Sequence, residues 1–145
     1  MSQLIDVIYD SKVTILPKLT IRRLVELILK NEQIEHYHLN IIFVNTTYIQ
    51  QLNKTYLNED YVTDVIAFSL GESEAVLLEG EIYICTEVAK QQAKQYRASY
   101  GQELLRLVVH GVLHLVGYDD LTVEEQRKMR KVEDEYLSQY SPIQK

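Results

Sequence analysis

Between Glu103 and Asp120 the chain reads ELLRLVVHGVLHLVGYDD, and no other stretch restricts the fold so tightly. Leu104, Leu105, Leu107, Val108, Val109, Val112, Leu113, Leu115 and Val116 leave a helix here apolar on most of its circumference. Such a helix stays out of water only if other elements pack round it on nearly every side. The exceptions, Glu103, Arg106, His110, His114 and Gly117, recur at steps of three and four and form one polar stripe. The chain must therefore wrap a buried helix and leave one line of it facing something polar.

The wrapping elements can be traced along the rest of the chain. Leu4 to Tyr9 is short, apolar and rich in branched residues, which predicts a strand. Pro17 sits where a first helical turn tolerates it, and Ile21, Leu24, Val25 and Ile28 follow at helical spacing. Leu39 to Val44 predicts a second strand, and Asn45, Thr46 and Thr47 can cap a helix through Gln50, Leu52 and Tyr56. Asp64 to Leu70 and Glu81 to Cys85 predict two more strands, apolar on both faces and so covered on at least one. The acidic, glycine-bounded GESEAVLLEG between them predicts a surface loop or a ragged hairpin. Helices are expected over Thr86 to Tyr100, Gln102 to Val116 and Thr122 to Tyr140. Thr122 with Glu125 makes a capping box for the last, whose apolar stripe is Met129, Val132 and Tyr136; SPIQK beyond it is expected to fray. Strands mixed with helices, then helices alone, predict one α+β domain over residues 1–145, a small mixed sheet of about four strands covered by helices.

Composition narrows the function classes. No apolar run approaches the roughly 20 residues that span a bilayer, and MSQLIDVIYDSK lacks the basic-then-apolar order of a secretion signal. Cys85 is the lone cysteine, in an apolar stretch, and reads as a small core residue. A cytoplasmic location is expected, with neither a membrane nor a nucleotide cofactor as partner. The net charge of −6 argues against a protein that coats nucleic acid indiscriminately, because phosphate contacts need local positive charge. Any nucleic-acid surface must come from local clusters: Lys90, Lys94 and Arg97 at helical spacing, Arg22, Arg23 and Lys30, or Arg106 on the polar stripe. Arg106 is the candidate phosphate contact among them. The plain alternative is pairing with a nearby carboxylate, Glu103 for Arg106 and Glu87 for Lys90.

His110 and His114, four apart, lie one above the other on the helix face and can aim their imidazoles at one point. Zinc favours that arrangement, with neutral imidazole nitrogens at about 2.0–2.1 Å in a tetrahedral set. Gly117 can take the left-handed conformation that ends a helix. The chain then turns back through Tyr118 and Asp119, and Asp120 could close the site. The alternative is a pair of core histidines bonded to backbone carbonyls, although two unpaired histidines in an apolar core are costly.

At this point the sequence resembles the YbeY family of bacterial rRNA-maturation endoribonucleases. The family signature His-Gly-x-Leu-His-Leu-x-Gly-Tyr-Asp-His is matched at His110, Gly111, Leu113, His114, Leu115, Gly117, Tyr118 and Asp119. Thr63-Asp64-Val65-Ile66-Ala67-Phe68 resembles its Thr-Asp-Val-Leu-Ser-Phe segment, and Gly80-Glu81-Ile82-Tyr83-Ile84 its Gly-Asp-Ile strand. Leu52-Asn53 and Met129 with Glu133 fall in the expected order. The resemblance implies a zinc-dependent, single-strand-specific endoribonuclease. It implies a role in ribosomal RNA processing, at the 3′ end of the small-subunit RNA, and in ribosome quality control, with the ribosome as partner. Two positions depart from the pattern. Asp120 stands where the family usually carries its last histidine; a carboxylate is an acceptable zinc ligand but adds negative charge. Leu57 stands where the family commonly has an arginine. Asp64 lies in a matched segment, and its simplest role is to bond a turn or cap a strand.

Two rival readings share the same residues. A zinc peptidase of the His-Glu-x-x-His type places its general base directly after the first histidine, and here that residue is Gly111. A non-catalytic zinc domain that docks on the ribosome needs no open coordination position, whereas three protein ligands leave one. Cleavage could proceed by attack of water or of the RNA's own 2′-hydroxyl, and the sequence does not choose between them.

Overall fold

The central helix, α4, spans Tyr100–Leu115, and the other elements are arranged around it. The computed structural model describes residues 2–10, 16–71 and 76–144, the last four by backbone alone. The other elements are β1 (Gln3–Tyr9), α1 (Lys18–Asn31), β2 (Tyr37–Val44), α2 (Thr46–Leu57), β3 (Val65–Ser69), β4 (Leu78–Cys85), α3 (Thr86–Gln95) and α5 (Val123–Gln144). The strands form a sheet in the order β1-β2-β4-β3. β1, β2 and β4 run parallel, and β3 lies antiparallel against β4 at the edge. This is the α+β arrangement with a four-stranded mixed sheet that the element order predicts.

Strand alternation sorts the core into two layers. Leu39, Ile41, Phe43, Ile82 and Ile84 face α1 and α4, where they meet Ile21, Leu24, Val25, Ile28, Leu104, Leu105, Val108 and Val112. Ile42, Val44, Ile66, Tyr83 and Cys85 turn to the opposite face, beneath Ile49 and Leu52 of α2. Each fully buried Leu, Ile or Val contributes about 1.5–3 kcal/mol relative to exposure. The helix lies unusually close to the sheet. A Cβ on Gly111 would sit 2.5 Å from Ile82 Cγ2, and one on Gly80 would sit 2.6 Å from Leu115 Cδ1. Two glycines thus let α4 and β4 touch, which fixes the polar stripe of α4 at the edge where β3 begins.

Local details sharpen or shift the sequence expectations in three places. The helix expected over Thr86 to Tyr100 stops at Gln95, because Arg97 takes a left-handed φ of 53° and Ser99 starts the next helix. Ser99 and Gln102 form a reciprocal capping box that launches α4. β4 starts at Leu78 and pairs antiparallel with β3, so of the two readings of GESEAVLLEG the hairpin is the one met, while residues 72–75 lie outside the described residues. α5 continues to Gln144, beyond the expected end at Tyr140, and residue 145 lies outside the described residues. The capping box of α5 forms as expected, with Thr122 Oγ1 accepting from the Glu125 N–H and Glu125 Oε1 from the Thr122 N–H.

Candidate metal centre

The polar stripe of α4 arrives at the sheet edge with His110 and His114 part-exposed on a helix that is mostly buried. α4 then closes with a double backbone bond, Gly117 N–H to His114 O at 3.1 Å and Tyr118 N–H to Leu113 O at 2.9 Å. Gly117 has φ of 111°, a conformation that side chains rarely tolerate. This reversal carries Asp120 back across the last turn of the helix.

The outcome is a triangle of donor atoms. His110 Nε2 and His114 Nε2 are 3.0 Å apart, and Asp120 Oδ2 lies 3.4 Å from each. A tetrahedral ion with bonds of 2.0–2.1 Å holds its ligand atoms about 3.3–3.4 Å apart, so this spacing suits one without rearrangement. The group could hold a metal ion. Asp119 instead lines a separate hollow with Tyr118, Glu125 and Lys128.

His110 is held from behind. Its Nδ1 lies 2.7 Å from Glu133 Oε2, so Nδ1–H donates to the carboxylate and Nε2 is left facing His114. Glu133 is buried on α5, and its Oε1 accepts from Arg106 Nη1 at 3.0 Å; Arg106 Nη2 reaches Asp134 Oδ1 at 2.6 Å. In the metal-free chain burial pushes the His110 imidazole pKa down. The Glu133 hydrogen bond and charge, with Asp120 and Asp64, outweigh that and leave it above the ordinary value. Glu103, buried beside this array, has its carboxyl pKa raised by burial against the pull of Arg106 and Arg130.

Two hollows flank the triangle. One, of about 260 Å³, is lined by Asp64, Gln92, Glu103, Arg106, His110, Asp120 and Glu133 among others. The second, of about 480 Å³, runs between the end of α2, β3 and the two histidines, and Leu57, Tyr61, Thr63 and Asp64 line it. Asp64 caps the start of β3, since Oδ1 accepts from the Val65 N–H at 2.8 Å, and its Oδ2 also accepts from Gln92 Nε2 at 3.2 Å. It thereby stands in both hollows at once.

Other predicted residues fall away from the centre or are engaged. Arg106 meets two carboxylates of α5 rather than the Glu103 expected for it, and Glu103 acts on it at longer range. Lys90 and Lys94 are exposed on α3, but Arg97 is beyond its end and so off the stripe. Glu87 accepts from the Thr46 N–H at 3.0 Å and caps α2. Arg22 donates to the Ile5 carbonyl, and Arg23 and Lys30 are exposed on α1. Cys85 is fully buried. Sequence reasoning gave Glu133 no role; the available signal was an acidic residue one turn after Met129 on the apolar side of α5.

Comparison with known proteins bears on the same residues. The family model described as Endoribonuclease YbeY matches residues 9–141. An "Endoribonuclease YbeY" of Salinibacter ruber is 37% identical over 130 residues, covering 85% of this chain and 83% of that protein. One of Staphylococcus aureus is 40% identical over 130 residues, covering 83% of this chain and 84% of its own. The solution structure of TM1509 from Thermotoga maritima aligns with a TM-score of 0.66 and 31% identity, covering 96% of this chain and 93% of that one. The match runs through β2, both flanking hollows and the whole of α4 with its closing turn, and the chain belongs to the Endoribonuclease YbeY family.

Proposed function

We propose that this chain is a zinc-dependent endoribonuclease that cuts single-stranded RNA, with His110, His114 and Asp120 as the zinc ligands. The observation that carries the metal is the pair of Nε2 atoms facing each other at 3.0 Å with a carboxylate oxygen closing the triangle. Two imidazoles and one carboxylate suit zinc, whereas magnesium and calcium prefer all-oxygen sets. Family membership supports the reaction class, scission of RNA phosphodiester bonds. Following the family, the substrate is ribosomal RNA, at the 3′ end of the small-subunit RNA. The ribosome is the partner, ribosome quality control a second role, and the cytoplasm the location, with residues 1–145 acting as one domain.

A bound zinc ion would supply Lewis acidity toward a phosphate oxygen and toward the attacking group. The chain's own groups set the conditions. Glu133 holds the Nδ1–H of His110, which fixes the tautomer and keeps the Nε2 lone pair free. Arg106, between Glu133 and Asp134, steadies that carboxylate. Asp120 brings a negative charge that a third imidazole would not, which would temper the acidifying effect of a bound ion. The hollow along β3 leaves an approach to the ligand triangle. Gly111 packs on Ile82 and offers no general base, which disfavours peptide hydrolysis.

The test is metal analysis and RNA cleavage by wild type, His110→Ala and His114→Ala, purified identically and assayed side by side. The expected result is near-stoichiometric zinc and slow RNA cleavage in the wild type, both lost in the variants, with unfolded casein untouched. Equal RNA cleavage by all three would sink the proposal. Zinc without any cleavage would favour the docking domain. Asp120→Ala should lower zinc affinity markedly while Asp119→Ala leaves it intact. Product ends then distinguish attack by water (5′-phosphate) from attack by the 2′-hydroxyl (2′,3′-cyclic phosphate).

A further inference from the structure

The hollow along β3 is large enough for a ligand, at about 480 Å³, and opens directly onto His110, His114 and Asp120. Its lining includes Asp64 and Asp120 but no lysine or arginine among the described residues. A wall of that charge does not draw a phosphate backbone, particularly on a chain of net charge −6. What it offers instead is apolar surface. Tyr61 is 53% exposed and Leu57 47% exposed, and both line the hollow.

The wall is built rather than draped. α2 ends on Asn58, whose φ of 57° turns the chain sharply. Asn53, 1% exposed, donates through Nδ2 to the Tyr61 carbonyl at 3.0 Å, and its own carbonyl accepts from the Glu59 N–H at 3.2 Å. Gln50 Nε2 donates to Asp60 Oδ1 at 3.2 Å, and Asp64 closes the segment on Val65. A backbone bond at position 59 and side-chain bonds at 60, 61 and 64 thus anchor the segment, so the tyrosine stands on a backbone that need not be ordered when a ligand arrives.

We propose that Tyr61, with Leu57 beside it, is a stacking platform for an unpaired RNA nucleobase next to the scissile bond. The proposal rests on the endoribonuclease reading and adds how that site grips its substrate. An aromatic ring stacks on the face of any base, which is tolerant of sequence, but a duplex hides its base faces within the helix. Grip through Tyr61 therefore selects single strands by physical access and gives little preference among bases. It also compensates for the missing cations, because stacking, unlike a phosphate contact, does not depend on counterion release.

The experiment measures binding of a short unstructured RNA, and of the same RNA carrying abasic riboses, by stopped-flow fluorescence before cleavage proceeds. Wild type, Tyr61→Ala and Tyr61→Phe are compared, all zinc-loaded. Tyr61→Ala should bind the intact RNA about tenfold more weakly, the scale of one lost base stack, and Tyr61→Phe should stay close to wild type. The abasic RNA should bind wild type more weakly than intact RNA does, and Tyr61→Ala should no longer distinguish the two. The ratio between wild type and Tyr61→Ala should persist when salt is raised. Unchanged affinity in Tyr61→Ala, or undiminished discrimination against the abasic RNA, overturns the proposal. Cleavage followed in the same samples separates the two readings. A Tyr61→Ala enzyme that cleaves with unchanged KM removes the platform and leaves the endoribonuclease. Base-dependent binding by a wild type that cleaves nothing removes the endoribonuclease and leaves the platform.

Discussion

The two sides of the ligand triangle are built on opposite plans. Toward α5, each polar group named is met: His110 by Glu133, Glu133 by Arg106, Arg106 also by Asp134, with Met129 and Tyr136 packed nearby. Toward the end of α2, the surface is left half-exposed and apolar at Leu57 and Tyr61, and its bonds run through the backbone behind it. The contrast separates two tasks. A metal ligand must be held by contacts that over-determine its position. A substrate wall must be rigid in its backbone yet keep its side chains uncommitted until the substrate is present.

If that division is right, substitutions on the α5 side change metal affinity and stability, whereas those on the α2 side change substrate handling alone. The largest effect is expected from Glu133→Ala. Losing this carboxylate should weaken zinc binding about 10- to 100-fold in chelator competition. It should also cost about 2–3 kcal/mol in urea denaturation of the metal-free chain, less than a fully buried pair because Arg106 keeps Asp134. Asp134→Ala removes only the outer, half-exposed partner of Arg106 and should cost at most about 1 kcal/mol, with zinc affinity close to wild type. Leu57→Ala should change stability by no more than about 0.5 kcal/mol and leave zinc binding unaltered. A loss of zinc in Leu57→Ala equal to that in Glu133→Ala would break the comparison outright.

A pH effect sharpens the same contrast. In the metal-free chain the His110 pKa lies above its unfolded value, chiefly because Glu133 and the other carboxylates overcome burial. Protonated His110 therefore stabilises the fold fully below its unfolded pKa of about 6.5, and that stabilisation is lost as pH rises through the higher folded pKa. Thermal melts of the metal-free chain should fall in Tm over this window, and Glu133→Gln should flatten the dependence. A flat wild-type profile would show that Glu133 does not carry the proton-linked contact.

Much of this arrangement is legible in the sequence where the signal is local. Ile21, Leu24, Val25 and Ile28 announce α1 by spacing, and the His110, His114, Gly117 and Asp120 intervals specify a helix face and the turn that closes over it. Ser99 and Gln102 also carried the start of α4 as a capping box, but Arg97 hid the break before it, since arginine seldom takes a left-handed φ. The Glu133 contact is not local. It joins residues 23 apart whose meeting depends on how α5 crosses α4. Tyr61 is equally silent in the sequence, because its place at the hollow is set by Asn53 and Asp64 holding the chain on either side.

The close packing of Gly111 on Ile82 has an evolutionary consequence. Glycine to glutamate is a short step in the genetic code, and in a His-Glu-x-x-His peptidase that glutamate is the general base. Here a side chain at the position meets the Ile82 side chain of β4 at once. Acquiring that glutamate would therefore also require room to be made at Ile82. Position 111 is thereby coupled to position 82: a change at the helix carries a cost unless the strand changes with it.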